Sequence, residues 1–578
     1  MENNLSIAEA ILAILEATGI DTCFGVPGGQ TLPFYQAARA RRFKHVMMHD
    51  ERNSACAADA YARISGRVGV CDATVGPGVT NLISGLAEAY ASSIPVIALI
   101  ADIDTSLEHM RHRSIVGQAM DQRPMLAAVT KWIGRVQTPN MLADVMEHAL
   151  RLATTGRSGP VVVEIPDELW AAPISSFDIS RFTKSCAIWP RHRSAAPTKQ
   201  IDKTLAFLAK AKRPIILAGG GAMASAAFKE ITEFAVEHCI PVVTSMNAKG
   251  IIDENHVLSL GVVGQFGNVN ASHALRQADV VLVFGSKFSE FNSFAWRLPD
   301  KTQKIIHIDI DGEELNRSIA VNVEIVADVR EAAQQILNGI KALERDFSWR
   351  TEGNPPEQPG TKKDDPKVAP EKVVMALNDL FVEDTILVSD ASLSSGWTSS
   401  RYRVRGTGRK FLAPRGIAGI GWACGAAIGS ALAAEKGTRI AVVAGDGGAA
   451  YWLGEIETAV RLQLPITFII LNNASFGWIV QEERARGIKE ESTFCPIDFS
   501  AIGKACGAGG ARALSTEEVY KGLAQALTYK GPFVLDVLSS EQSASSVAYE
   551  LFDQNTAPAR SAYSTKKQSP GISEIENL

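Results

Sequence analysis

Two polar residues stand directly after apolar runs in the segment GDGGAAYWLGEIETAVRLQLPITFIILNNASFGW, residues 445–478. The run Arg439–Ala444 delivers Gly445, Asp446 and Gly447. A helical pattern carrying Glu455, Ile456, Ala459 and Val460 follows, and the run Ile466–Leu471 ends at Asn472 and Asn473. This spacing predicts Asp446 and Asn473 at the carboxyl ends of two strands, where open α/β sheets place ligands. A carboxylate beside an amide oxygen is a hard-oxygen pair suited to magnesium, which also takes phosphate oxygens. The flanking glycines let backbone and a helix N-terminus approach an anion. Far upstream, in HVMMHDERNSACAADAYARISGRVGV (residues 45–70), Glu51 opens a helix whose Ala55, Ala58 and Ala62 recur at helical spacing. Burial among Val46, Met47, Met48 and those alanines would raise the Glu51 pKa, leaving a carboxyl able to donate a hydrogen bond near neutral pH.

Such residues need strands and helices to hold them, and the chain supplies both in alternation. Apolar runs recur at Val68–Thr74, Pro95–Ile100, Pro160–Ile165, Pro214–Leu217, Val280–Gly285, Ile305–Ile310, Thr385–Ser389, Ile440–Ala444, Ile466–Leu471 and Phe533–Val537. Runs apolar throughout suit strands covered on both faces by helices, and the alternation implies parallel βαβ units. The expected fold class is α/β, with three doubly wound parallel-sheet domains and a C-terminal tail. Irregular sequence over 171–200 and a Pro-, Gly- and charge-rich stretch over 350–370 mark the breaks. The expected units are therefore 1–175, 190–345, a linker 346–370, 371–540, and a polar tail 541–578. Three units of roughly 170 residues suit the usual domain size.

At 578 residues with 46% hydrophobic and 21% charged side chains, the composition is that of a globular protein of several domains. A formal net charge of -5 argues against nucleic-acid binding. The eight cysteines show no C-x-x-C spacing, so neither a zinc nor a redox motif is expected, and a reducing, cytoplasmic setting fits. The start of the chain reads as an amphipathic helix capped by Ser6, not as a signal peptide, and Ile94–Ala101 is too short to span a bilayer.

The segment 445–478 resembles the GDG…NN signature of thiamine-diphosphate enzymes, with Asn473 at the spacing of acetolactate synthase-like members. The stretch around Glu51, through AYAR and the following glycine, is similar to the part of those enzymes that holds the activating glutamate. FGVPGGQ (residues 24–30), TVGPGVTNLISGLAEAYASSIPVIAL (residues 74–99), Gln118 upstream of the TKW triplet, and APRGIAGIGWACGAAIG (residues 413–429) resemble the same family in order and spacing.

The resemblance implies that Asp446, Asn473 and the backbone carbonyl of Ser475 hold Mg2+, and that Gly445 and Gly447 approach the diphosphate. Glu51 would donate to the aminopyrimidine ring, and Ala418 would accept its amino group through its carbonyl. Ile420 would bend the cofactor into a V. Pro27, Gly28, Thr74, Asn81, Ser392 and Ser394 would complete the cofactor contacts, and Gln118 would face substrate. It also implies a site shared between subunits, hence a homodimer at minimum and a homotetramer as the expected assembly. The middle unit would be the family's central domain, with FAD, ADP or nothing bound there. SEFNSFAW after FGSKF differs from the synthase wording and puts FAD in doubt.

Two departures touch the substrate side. Gly117 stands where synthases carry phenylalanine, and Glu482 stands where they carry the tryptophan that shapes the acceptor pocket. Glu482 as a proton shuttle would suit cleavage of a 2-hydroxyacyl-CoA to formyl-CoA and an aldehyde or ketone. Arg560, Lys566 and Lys567 of the tail would then meet coenzyme A phosphates as a lid. The alternative is 2-keto acid decarboxylation or acetolactate synthase-type carboligation, in which Glu482 is a solvated helix charge. Two rivals of other classes remain: a NAD-binding oxidoreductase using the middle unit, and a regulatory subunit without chemistry. The joint presence of Glu51, Asp446 and Asn473 argues against the last.

Overall fold

The computed structural model describes residues 5–175, 177–340, 347–351, 366–382 and 384–541. The tail beyond Glu541 and most of the linker, with the lid residues expected there, lie outside the described residues.

The strands form three six-stranded sheets, and every pairing is parallel. The first contains β1 (Thr22–Gly25), β2 (Lys44–Met47), β3 (Gly69–Ala73), β4 (Val96–Asp102), β5 (Trp132–Arg135) and β6 (Val161–Pro166), in the order β2-β1-β3-β4-β6-β5. The second contains β7 (Pro214–Ala218), β8 (Val242–Thr244), β9 (Ser259–Val262), β10 (Val280–Phe284), β11 (Lys304–Asp309) and β12 (Val323–Val326), in the order β12-β11-β10-β7-β8-β9. The third contains β13 (Thr385–Ser389), β14 (Phe411–Leu412), β15 (Arg439–Gly445), β16 (Ile466–Asn472), β17 (Gly509–Ala513) and β18 (Phe533–Leu538), in the order β14-β13-β15-β16-β18-β17.

The first and third sheets thus repeat one topology, while the middle one runs in the order typical of dinucleotide-binding sheets. Each order reverses direction beside its first strand in the chain. Those places are β1/β3, β7/β10 and β13/β15, where the loops leaving the strands diverge and open a crevice.

Central strands such as β4 and β16 are buried along their whole length, because helices cover both faces. One apolar core joins the first and third domains, from Phe24 and Leu82 to Trp422 and Val442. Its seam is the Glu51–Ser65 helix against the Ala423–Ala433 helix. A Cβ at Gly429 would overlap the Ala57 carbonyl, so only glycine permits this approach. All eight cysteines are free. Among the described residues no helix is long and apolar enough to cross a membrane.

Candidate active site

The reversal point of the third sheet carries the acid–amide pair. β15 ends at Gly445, and the Asp446 carboxylate is almost fully buried beyond it. One oxygen accepts the Gly447 N–H at 2.9 Å, and the other accepts those of Asn473 at 3.0 Å and Ala474 at 2.5 Å. Burial pushes the Asp446 carboxyl up to about 6, against the pull of these N–H groups. β16 ends at Asn472, whose amide donates to Asp536 and to the Ile497 carbonyl, both at 2.8 Å, and so anchors the following loop. The Asn473 side-chain oxygen accepts from the Ser475 N–H at 3.2 Å and hydroxyl at 3.0 Å. Asp446, Asn473 and Ser475 line one cavity of about 330 Å³, together with Gly445, Gly447, Ser392, Ser394, Ala418 and Ile420. Ser392 has a positive φ of 68° and precedes the Leu393–Arg401 helix, so the chain turns sharply at the end of β13.

Ala418 lies in the loop 413–422, in a left-handed conformation with φ 57°. Two buried carboxylates hold this loop. Glu88, from the first domain, accepts the N–H groups of Gly416 at 2.7 Å, Ile417 at 2.9 Å and Ala418 at 3.2 Å. Asp390, just past β13, accepts those of Gly421 at 2.9 Å and Trp422 at 3.2 Å. Arg63 and Ser92 brace Glu88 from its own domain. Neither acid was singled out from the sequence. The signal for Asp390 was present, because it follows a fully apolar strand as Asp446 does. Glu88 carried a weaker signal, as one carboxylate in an otherwise small and apolar helix.

The reversal point of the first sheet holds the second group. A Cβ at Gly28 would overlap the Thr74 side chain, so the loops after β1 and β3 touch. Thr74 donates to the Gln30 side-chain oxygen at 2.6 Å. Glu51 is 8% exposed and accepts from the Asn81 amide at 3.0 Å, across the turn Gly76–Gly78. The Gln118 carbonyl packs on Gly76 while its side chain is exposed, and Pro27 is exposed beside Gly28. The start of the Glu51 helix is fixed from the third domain, where Glu455 accepts the N–H groups of His49 at 3.0 Å and Asp50 at 3.2 Å.

These two groups do not meet within one chain. Among the described residues, none of the first domain lines the Asp446 cavity. Glu482 is also absent from that lining: it pairs with Arg486 at 3.1 Å on the Gly477–Arg486 helix, while Trp478, Ile479 and Gln481 face the cavity.

The middle sheet opens a separate cavity of about 150 Å³ at its own reversal point, lined by Gly220, Gly221, Gly285, Ser286 and Asp309. Burial pushes the Asp309 carboxyl up to about 6, and nearby Arg157 pairs with Asp311 and Glu314. Among the described residues, the cluster of His, Cys and acidic groups within metal-ligand reach is Cys23, His45 and Asp72. There Asp72 is satisfied by His45 at 2.5 Å and by the Tyr35 hydroxyl at 3.0 Å, under the first sheet's helices.

Two domains of one topology, each presenting polar groups at its reversal point, with an acid–amide pair on one and a buried carboxyl on the other, define the class of thiamine-diphosphate enzymes. Family models agree: residues 5–130 match the thiamine pyrophosphate enzyme N-terminal TPP binding domain, 201–336 the central domain, and 390–537 the C-terminal TPP binding domain. The chain belongs to the acetolactate synthase-like superfamily of thiamine-diphosphate-dependent enzymes. It is 32% identical over 552 residues to a probable acetolactate synthase large subunit of Methanocaldococcus jannaschii, covering 92% of this chain and 91% of that one. It is 31% identical over 572 residues to the acetolactate synthase large subunit of Corynebacterium glutamicum, covering 93% and 87%. Similarity to proteins so named favours the carboligase alternative over the expected preference for 2-hydroxyacyl-CoA cleavage, which finds no support.

Proposed function

We propose that the protein is a thiamine-diphosphate- and magnesium-dependent carboligase that decarboxylates a 2-keto acid and joins the retained fragment to a second carbonyl compound. The observation that carries this reading is the pairing of Asp446 with Asn473 at adjacent strand ends, opposed by the buried Glu51 of a domain with the same topology. The names of the relatives support the keto-acid side, and so does the Arg486 partner of Glu482, which takes that carboxylate out of the cavity lining.

The residues present fit the cofactor. A carboxylate and an amide oxygen are the hard donors that a Mg2+ ion bridging to a diphosphate requires. Side chains at Gly447 and Gly448 would run into Phe476 and Asp390, so the backbone beside the ion stays bare. When bound, thiamine diphosphate supplies a nucleophilic carbon that adds to a carbonyl and accepts the electron pair of the neighbouring bond as it breaks.

The chain's own residues do the rest. Asp446, Asn473 and the Ser475 carbonyl would hold the metal, with Gly445, Gly447, Ser392 and Ser394 beside the diphosphate. Ala418 would accept from the aminopyrimidine amino group, and Ile420 would press the rings together. Glu51, with Pro27, Gly28, Thr74 and Asn81 around it, would hold a proton at the ring nitrogen, and Gln118 would face the reacting carbonyl. Because, among the described residues, none of the first domain lines the Asp446 cavity, the complete site is expected between the first domain of one subunit and the third of its partner, with a homodimer as the minimum.

The test is proton exchange at the thiazolium carbon, followed by NMR in deuterated buffer with the cofactor and Mg2+ bound. Wild type is expected to exchange it at least 100-fold faster than Glu51→Gln, with both proteins binding the cofactor by calorimetry. Equal exchange rates would remove Glu51 from its role. Release of carbon dioxide from pyruvate, against no cleavage of 2-hydroxyacyl-CoA thioesters, tests the substrate class.

A further inference from the structure

Arg415 is the one loop residue between Leu412 and Trp422 whose long cationic side chain reaches the Asp446 cavity, and it lines that cavity beside Ala418 and Ile420. Its guanidinium lies 5.0 Å from the ring centre of Phe266 and 5.1 Å from that of Phe291. The two rings are 5.4 Å apart, and Trp478 leans on Phe266 at 5.1 Å. Both phenylalanines belong to the central domain, in the segments LGVVGQFGN and SEFNSFAW. They line the Asp446 cavity and not the central one, although Arg415 borders both. The aromatic contacts therefore hold the guanidinium on the Asp446 side.

Among the described residues no carboxylate forms an ion pair with Arg415 and no hydrogen bond uses its guanidinium. Burial pulls its pKa below the ordinary range, and the opposing acid, Glu88, spends its oxygens on the loop N–H groups. An arginine stays charged even so, and a desolvated charge without a counter-ion is costly. Arg415 is half-buried and lines the Asp446 cavity. A planar, rigid donor fork held against two rings and lining a reaction cavity is suited to a carboxylate, sulfonate or phosphonate.

The anion is not the carboxylate lost as carbon dioxide. That group sheds its negative charge on the way to the transition state, so a cation gripping it would stabilise the ground state more and slow the step. We infer that Arg415 recognises an anionic group that the substrate keeps through the reaction. On the keto-acid reading above, this is either the carboxylate of an acceptor keto acid or a second acid group on the donor.

The experiment uses the holoenzyme with thiamine diphosphate and Mg2+, as wild type, Arg415→Gln and Arg415→Lys. Titration with oxamate and succinate, read by tryptophan fluorescence, is expected to saturate in wild type for at least one anion. Affinity should weaken at least tenfold in R415Q and less in R415K. Equal affinity in R415Q, or no saturable binding to wild type, overturns the inference. Should R415Q fail to bind cofactor by calorimetry, R415K carries the comparison, since it keeps the charge and loses the fork; unchanged affinity there overturns it too.

Turnover then distinguishes the sources in three arms: pyruvate alone, pyruvate with benzaldehyde, and 2-oxoglutarate with benzaldehyde. A KM rise of tenfold or more confined to the first arm assigns the acceptor's carboxylate, and one confined to the third assigns the donor's second acid. Equal changes in all arms overturn the inference. If wild type turns over none of these keto acids, the proposed function fails while the titration still decides Arg415.

Discussion

Glu482 pairs with Arg486 one helical turn away, at a partly exposed position. Such i,i+4 pairs contribute about 0.3–0.5 kcal/mol. Glu482→Gln is therefore expected to change the urea midpoint little and to keep cofactor binding and turnover within about twofold of wild type. A turnover loss beyond tenfold with cofactor still bound would restore it as a proton carrier. At this scale the sequence was legible where chemistry and local pattern coincide. Asp446 and Asn473 each follow a strand that is apolar throughout, so their positions were fixed by the runs before them. Glu482 falls outside the cavity lining for a local reason: the motif gives a position along the helix, and the helix's rotation decides which of Gln481 and Glu482 faces the cavity. Glu88 gave only a weak signal because its partners, Gly416 to Ala418, come from another domain, and no local pattern names such partners.

The loop 413–422 shows how elements position groups that have no regular structure of their own. Glu88 holds one end and Asp390 the other, so the Ala418 carbonyl is presented by a backbone tied to two domains at once. Removing this buried carboxylate strands the three backbone donors of Gly416, Ile417 and Ala418, at a cost of about 3–5 kcal/mol, while Arg63 keeps its two hydrogen bonds to Asp59. Glu88→Ala is expected to lower the urea midpoint sharply. Glu88→Gln keeps one acceptor oxygen and is expected to fold, while binding thiamine diphosphate about tenfold more weakly by calorimetry. An unchanged affinity in Glu88→Gln would show that the loop keeps its shape without the acid. Strand recognition followed burial in the same way. Every run named from the sequence is an interior strand. Edge strands such as β12 and β17 escaped because they alternate or mix buried and exposed positions, and β14 and the interior β8 escaped because they are only two and three residues long. Strand order was not legible at all, since it depends on which helix packs where.

At the scale of the whole molecule the decisive feature is a separation. The first and third domains share one topology and one core, yet among the described residues none of the first domain lines the Asp446 cavity. On the proposed reading a second copy supplies the missing half, and a two-fold dimer does so twice, symmetrically. This arrangement makes a distinctive prediction for mixed oligomers. Glu51→Gln and Asp446→Ala are each expected to be inactive alone. Co-expressed with different tags and purified through both, their heterodimer carries one site with both defects and one with neither, because the intact Glu51 of one subunit faces the intact Asp446 of the other. An unselected random mixture, in which about half the dimers are mixed, should then recover up to about a quarter of wild-type activity, and the doubly tagged fraction about half. If each chain built its own site, every site in the mixture would contain one defect, and no recovery above the separate variants would be seen.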